Sequence, residues 1–213
     1  MRLYDAQLER ICRRHGSLMD FAHAYTRMGF NRDVATGEWV YREWAPGARQ
    51  LYLIGDFNGW NRSATPMQRN AEGVWEVRLP AETLVHGQHV KVHVIGADNQ
   101  GRDRMPAWIR YTEQDAATFD YSGIIWEPAE PYKWKNTRWN PANIKTPFIY
   151  ETHVGMAGEE GRIHSYREFA DEVLPRVAKL GYNVVQIMAI QEHPYYGSFG
   201  YHVSSFFAPC NRF

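Results

Sequence analysis

The octet Asn183-Val184-Val185-Gln186-Ile187-Met188-Ala189-Ile190 is almost continuously apolar. A strand with one solvated face alternates polar and apolar residues, so an unbroken run predicts a strand covered on both faces, as in a parallel sheet flanked by helices. The residues upstream fit that reading. Phe148 to Val154 reads as a strand, and Ser165 and Glu168 have the spacing of a capping box. Phe169, Val173, Val177 and Leu180 follow at helical spacing. Pro175 is placed at the start of a second short helix and Gly181 at its left-handed end. Strand, crossover helix and buried strand make a βαβ unit. Two strands complete neither a barrel nor a doubly wound sheet, and the chain stops at Phe213, where a second helix is due. Residues 148–213 are therefore expected to be poorly folded or aggregation-prone in isolation, with apolar faces and strand edges uncovered.

The earlier residues follow a different pattern. From Glu38 to about Phe119 the signals are short strands closed by turns. Arg49 to Ile54 is one compact run, ended by Gly55-Asp56 and Asn58-Gly59. In Val74 to Leu79, the face carrying Trp75, Val77 and Leu79 is the expected core face. Val90, Val92 and Val94 point one way, and His89, Lys91 and His93 point the other, outward. Several such strands predict a small antiparallel, immunoglobulin-like sandwich. Asp5 to Met28 reads as helix broken at Gly16, with Leu8, Ile11, Met19, Phe21 and Ala22 as its apolar positions. Tyr121 to Pro147 holds Pro128, Pro131, Pro141 and Pro147, so it is no regular helix, and its rings predict a packed crossing. The expected division is a helical segment at 1–30, a β-module at 31–120, a linker at 121–147 and the start of an α/β domain at 148–213.

Charge excludes some functions. Lys+Arg and Asp+Glu are both 24 of the 213 residues, so no basic face is offered to nucleic acid or membrane. No run is long enough to span a bilayer, and Met1 to Asp5 lacks a signal-peptide apolar run. Cys12 and Cys210 form neither a disulfide framework nor a metal spacing, which fits a reducing, cytoplasmic setting. Aromatic residues reach 15%, a level that both sugar-binding surfaces and β-sandwich cores use. His86, His89 and His93 would resemble metal ligands on a helix, but they fall on or beside a predicted strand with no Cys or carboxylate joining them.

Three stretches carry a family resemblance. Trp44-Ala45-Pro46-Gly47-Ala48 followed by Gly55-Asp56-Phe57-Asn58-Gly59-Trp60 resembles the glycogen-binding module shared with isoamylases and the β-subunit of AMP-activated kinase. Ile149-Tyr150-Glu151-Thr152-His153-Val154-Gly155, with Gly161-Arg162-Ile163 and Leu180-Gly181-Tyr182-Asn183, is one of two stretches similar to the first barrel strands of 1,4-α-glucan branching enzymes. The other is Glu192-His193-Pro194-Tyr195-Tyr196-Gly197-Ser198-Phe199-Gly200-Tyr201, running into Phe206-Phe207-Ala208-Pro209. Cys210-Asn211 stands where that family usually has two small hydroxyl residues.

The resemblance implies the N-terminal part of an α-amylase-superfamily enzyme of glycogen biosynthesis: a multi-domain chain whose last segment opens a (β/α)8 TIM barrel. It implies a glycosyltransferase that moves an α-1,4-glucan segment to a 6-hydroxyl by a retaining mechanism, without cofactor or metal, acting on glycogen, amylose or starch. None of the acids after Pro147 matches the family's catalytic carboxylates, so no catalytic residue is assigned and the chain alone is expected to be inactive. Tyr201 matches the tyrosine that stacks on glucose at the cleavage point, while His202 and Arg212 either line the site or brace its loop. Trp60 matches a glucan platform, with Lys91 as a donor to sugar hydroxyls; the other reading is that Trp60 caps the sandwich and Lys91 is solvated. A self-sufficient glucan-binding protein, in which residues 31–120 do all the work, is the alternative from another class.

Overall fold

The computed structural model describes residues 2–213. They fall into two compact units, the residues up to Ile109 with Gln114–Ile125, and Arg110–Glu113 with Trp126–Phe213. Among the described residues no helix is long and apolar enough to cross a membrane.

The first unit begins with α1 (Arg2–His15) and α2 (Leu18–Ala22). They break at Gly16, whose φ of +87° suits a residue without a Cβ, and Ser17 caps α2 by accepting the Asp20 amide at 3.0 Å. The apolar positions of these helices do not form a core stripe. Neither helix buries a residue, and Leu8, Met19 and Phe21 remain exposed.

Two antiparallel sheets follow. One takes the order β1 (Gly29–Arg32), β2 (Trp39–Trp44), β5 (Val74–Leu79), β4 (Gln68–Arg69). The other runs β3 (Gln50–Gly55), β6 (His89–Ile95), β9 (Tyr121–Ile124), β8 (Thr112–Gln114), with β7 (Gly101–Arg104) also on β6. One core joins the sheets. Tyr41 and Trp75 of the first pack with Leu51, Leu53 and Val92 of the second, and Val77, Leu79 and Val94 close around them. The buried Trp75 indole donates to the Ala45 carbonyl at 2.9 Å, so its polar atom is satisfied inside the apolar layer. Both alternations predicted for Trp75 and Val92 point as expected.

Strand β9 lies inside the stretch read as linker. It pairs with β6 at Val90↔Gly123 and His89↔Ile124, and it is free of the prolines that begin at Pro128. Beyond Ile125, the expectation of packed rings is overturned. Tyr132, Trp134 and Trp139 are 71, 77 and 65% exposed. The prolines there remove ladder donors, leaving this segment with only a short 3-10 turn at Pro141–Asn143, and Tyr132 packs edge-on against Trp134 at 5.1 Å.

In the second unit, β10 (Ile149–His153) lies parallel to β11 (Val184–Met188), with Ile149 opposite Val184 and His153 opposite Met188. The crossover is α3 (Tyr166–Glu168), a π-turn at Phe169–Val173 and α4 (Leu174–Lys179). Ser165 and Glu168 form the reciprocal cap, with the Glu168 amide at 3.2 Å from the Ser165 hydroxyl and the Ser165 amide at 2.9 Å from the Glu168 carboxylate. The wide turn ends two residues before Pro175 and contains Asp171, the residue whose carbonyl the proline ring would meet in a regular helix. Phe169, Val173 and Val177 bury against Val154, with Tyr150, Val185 and Ile187 beside them. The octet's strand is half-buried rather than covered on both faces, and Gln186 is exposed, because this helix covers only one face. Strands β12 (Gln191–Glu192) and β13 (Ser205–Pro209) then pair antiparallel around a loop.

Leu53 is fully buried in the core shared by both sheets of the sandwich. Leu53→Ala is expected to destabilise this unit by about 3 kcal/mol. Urea denaturation followed by tryptophan fluorescence checks this, since an unchanged midpoint would place Leu53 outside the cooperative core.

Candidate functional site

The turn after β3 presents Trp60. Gly55-Asp56-Phe57-Asn58-Gly59-Trp60 is knotted by Asn58, whose side chain accepts the Gly55 amide at 3.1 Å and donates to the Leu53 carbonyl at 3.1 Å and the Thr65 hydroxyl at 3.0 Å. Gly59 and Trp60 both take left-handed backbone, φ +62° each, and the Trp60 amide closes on the Gly55 carbonyl at 2.9 Å. Gly55 admits no side chain, because a Cβ would stand 2.3 Å from the His89 carbonyl oxygen. The Trp60 ring is 37% exposed, and its indole donates to Asp56 Oδ1 at 3.0 Å. Asp56 Oδ2 accepts the His89 amide at 2.8 Å and meets His89 Nδ1 at 3.2 Å. Burial works against the Asp56 charge, yet the His89 amide, the Trp60 indole and the His89 ring together hold its carboxyl below the ordinary range.

Lys91, expected on an outward solvated face, is 8% exposed and ion-paired with Asp120. Its neighbours are also committed. His93 Nδ1 lies 2.7 Å from Asp103 Oδ1, and Arg62 reaches Asp103 Oδ2 at 2.6 Å. Strand β6 alternates as its sequence predicts. The ion-pair partner of Lys91, Asp120, lies 29 residues further along, beyond the reach of local pattern.

In the second unit, Glu192 is fully buried. It accepts the Thr112 hydroxyl at 3.1 Å, the His193 amide at 3.0 Å and the Asn211 amide at 3.1 Å, while Arg212 Nη1 stands 3.7 Å away. Asn211 Nδ2 returns to the Thr112 carbonyl at 2.8 Å. Arg212 donates to the carbonyls of His193 and Pro194. Tyr201 is 79% exposed after the left-handed Gly200 and is held through its amide on the Ser198 carbonyl at 3.0 Å; His202 is exposed beside it. His153 ends β10, 8% exposed, with the rings of Tyr196, Phe199 and Phe213 edge-on to it. Burial and the neighbouring His193 push its pKa down.

Ligand atoms of Glu192, His193 and Cys210 lie within 4.8 Å of one another, a grouping that would admit a metal ion. Both Glu192 oxygens already accept hydrogen bonds, and burial, ahead of the nearby charges, raises the Cys210 thiol pKa, which works against the thiolate a metal would need. Sequence reasoning passed over Asp56, Asp120 and Glu192. Asp56 and Glu192 sit inside quoted motifs, whereas nothing local marks Asp120.

Residues 27–109 match carbohydrate-binding module 48, the isoamylase N-terminal domain, so the sandwich is a carbohydrate-binding module. The whole chain is 46% identical to a 1,4-alpha-glucan-branching enzyme of Solanum tuberosum, covering 100% of this chain and 25% of that protein. A chloroplastic/amyloplastic 1,4-alpha-glucan-branching enzyme 2-2 of Arabidopsis thaliana is 45% identical over 98% of this chain and 26% of its own length. The chain belongs to the 1,4-α-glucan-branching enzyme family and spans about a quarter of the length of these curated relatives. Among solved structures, the Group B Streptococcus pullulanase SAP is similar in fold, with TM-score 0.66 and 17% identity over 86% of this chain and 28% of that one. Pullulanase from Bacillus acidopullulyticus has TM-score 0.64 and 18% identity over 87% of this chain and 25% of its own.

The Arg62 guanidinium, opposed by burial and helped by His93, holds the Asp103 carboxyl down at about 2. An unfolded aspartate titrates near ~4, so the stability this cluster supplies is present above that pH and is lost as pH falls toward the folded value. The thermal midpoint is expected to fall through this window, and Asp103→Asn to flatten the decline. Circular dichroism melts from pH 5 to pH 2 check it; parallel profiles for the two proteins would rule the cluster out as the cause.

Proposed function

We propose that this chain is the glucan-engaging part of a 1,4-α-glucan branching enzyme, a glycosyltransferase that moves an α-1,4-linked segment to a 6-hydroxyl and so forms α-1,6 branches. The βαβ unit of β10, its crossover helix and β11 would open a (β/α)8 barrel. Such barrels build their sites from loops at the carboxyl ends of strands, and in that barrel Tyr201 and His202, in the loop between β12 and β13 beyond β11, would face the site, with Arg212 bracing the loop. Tyr201 would stack on a glucose ring, because its exposed face pairs with the flat apolar face of the sugar. The partners are α-glucans such as glycogen, amylose and starch. The free thiols Cys12 and Cys210 fit a reducing compartment such as the cytoplasm.

Retaining glucosyl transfer needs two carboxyl groups roughly 5–5.5 Å apart, one as nucleophile and one as acid. Three acids of the second unit have structural partners: Glu168 caps a helix, Glu192 braces a loop, and Glu151 meets Gln186 across β10 and β11. On this reading the chain binds glucan and leaves transfer to carboxylates it does not contain. One observation carries the reading: within a carbohydrate-binding module, Trp60 is a partly exposed ring anchored at its indole nitrogen.

Electrophoresis of the 213-residue chain in gels containing glycogen is expected to show retardation that Trp60→Ala removes. Equal mobility of the two proteins would sink the platform. Incubation with amylose is expected to leave the iodine absorbance unchanged, and a clear drop would refute the assignment of binding without transfer.

A further inference from the structure

The Trp60 turn has two polar side chains with different tasks. Asn58 closes the turn on its own, through bonds to Gly55, Leu53 and Thr65. Asp56 makes no side-chain bond that the turn backbone needs. One of its oxygens takes the Trp60 indole, and the other takes both the amide and the ring of His89 on β6. An indole N–H at a partly exposed position could be satisfied by water, so this bond chiefly fixes where the ring lies. Trp60 also holds a left-handed backbone, φ +62°, a conformation that a bulky residue keeps only when its surroundings impose it. His89 belongs to β6, so the tether joins the Trp60 ring to a strand of the core sheet.

We propose that Asp56 is a positioning residue for an α-1,4-glucan subsite, tying the Trp60 ring to β6 through His89 so that the ring is already oriented when a glucan stacks on it. The proposal rests on the reading of Trp60 as the glucan platform. An untethered ring has to be ordered at the moment of binding, and removing that cost beforehand is how preorganisation raises affinity.

Maltoheptaose is titrated calorimetrically into the full 213-residue chain and into five variants, with thermal melts recorded for each. Trp60→Ala is expected to abolish measurable binding. Trp60→Phe keeps a ring and loses the indole donor, Asp56→Ala loses the acceptor, and each is expected to weaken binding about fivefold, the scale of one hydrogen bond. The Trp60→Phe/Asp56→Ala double variant is expected to bind no more weakly than either single one, because both changes cut the same tether. Asp56→Asn keeps an acceptor for the indole and is expected to stay closer to wild type than Asp56→Ala; it also provides a folded test if the alanine variant melts early. Wild-type affinity in Asp56→Ala alongside lost binding in Trp60→Ala would overturn the positioning role and leave the platform standing. Additive losses in the double variant would overturn it as well. Wild-type affinity in Trp60→Ala would instead remove the platform itself.

Discussion

The register in which Gly55 stands opposite Val90 and Gln50 opposite Ile95 decides which side chains meet in the carbohydrate-binding module. That pairing points Leu51, Leu53 and Val92 into the core shared with Tyr41 and Trp75. It brings the His89 carbonyl so close to Gly55 that no side chain fits there, which forces the chain to leave β3 in the turn that carries Trp60. It also places the His89 amide within reach of Asp56. A slip of one residue would turn every one of these groups to the opposite face, so the core and the Trp60 turn are specified together.

A second constraint organises the other unit. A buried carboxylate is costly unless its oxygens are satisfied, and Glu192 meets that demand with Thr112, His193 and Asn211. The segments that supply those donors are thereby held at fixed places, and Arg212 adds the carbonyls of His193 and Pro194. The loop between β12 and β13 is thus rigid at its base, while Tyr201 is carried exposed at its surface. Glu192 serves the loop as an anchor, a different task from the acid–base work that a carboxylate in an enzyme sequence first suggests.

Local pattern made much of this legible. Period-two alternation identified the core face of β5 and the two faces of β6, and the Ser165–Glu168 spacing and Gly181 marked the ends of the crossover helix. What escaped was set by partners distant in sequence. The amphipathic pattern of its own strand predicts a solvated Lys91, but Lys91 is buried and pairs with Asp120, 29 residues away. Strand β9 was absorbed into a proline-rich stretch although its own four residues contain no proline. The rings of Trp134 and Trp139 read as packing material, yet a segment poor in backbone ladder bonds left them exposed. The π-turn before Pro175 follows from a rule that proline states only indirectly, as a kink or break rather than a widened turn.

The charges around Trp60 narrow the kind of ligand this face can take. Asp56 lies against His89, Lys91 against Asp120, and Asp103 against Arg62 and His93. Opposite charges paired at contact distance leave little field beyond the surface, and salt screens what remains. A polyanion such as nucleic acid gains its affinity from unpaired cations, which this face does not concentrate. If this face binds glucan as proposed, recognition comes from ring stacking and short hydrogen bonds to a neutral partner. A polymer of glucose meets that requirement, since it offers alternating apolar faces and hydroxyl rims and carries no charge. Of these groups Asp56 alone bonds the Trp60 indole, so the orientation of the ring rests on the Asp56–His89 contact.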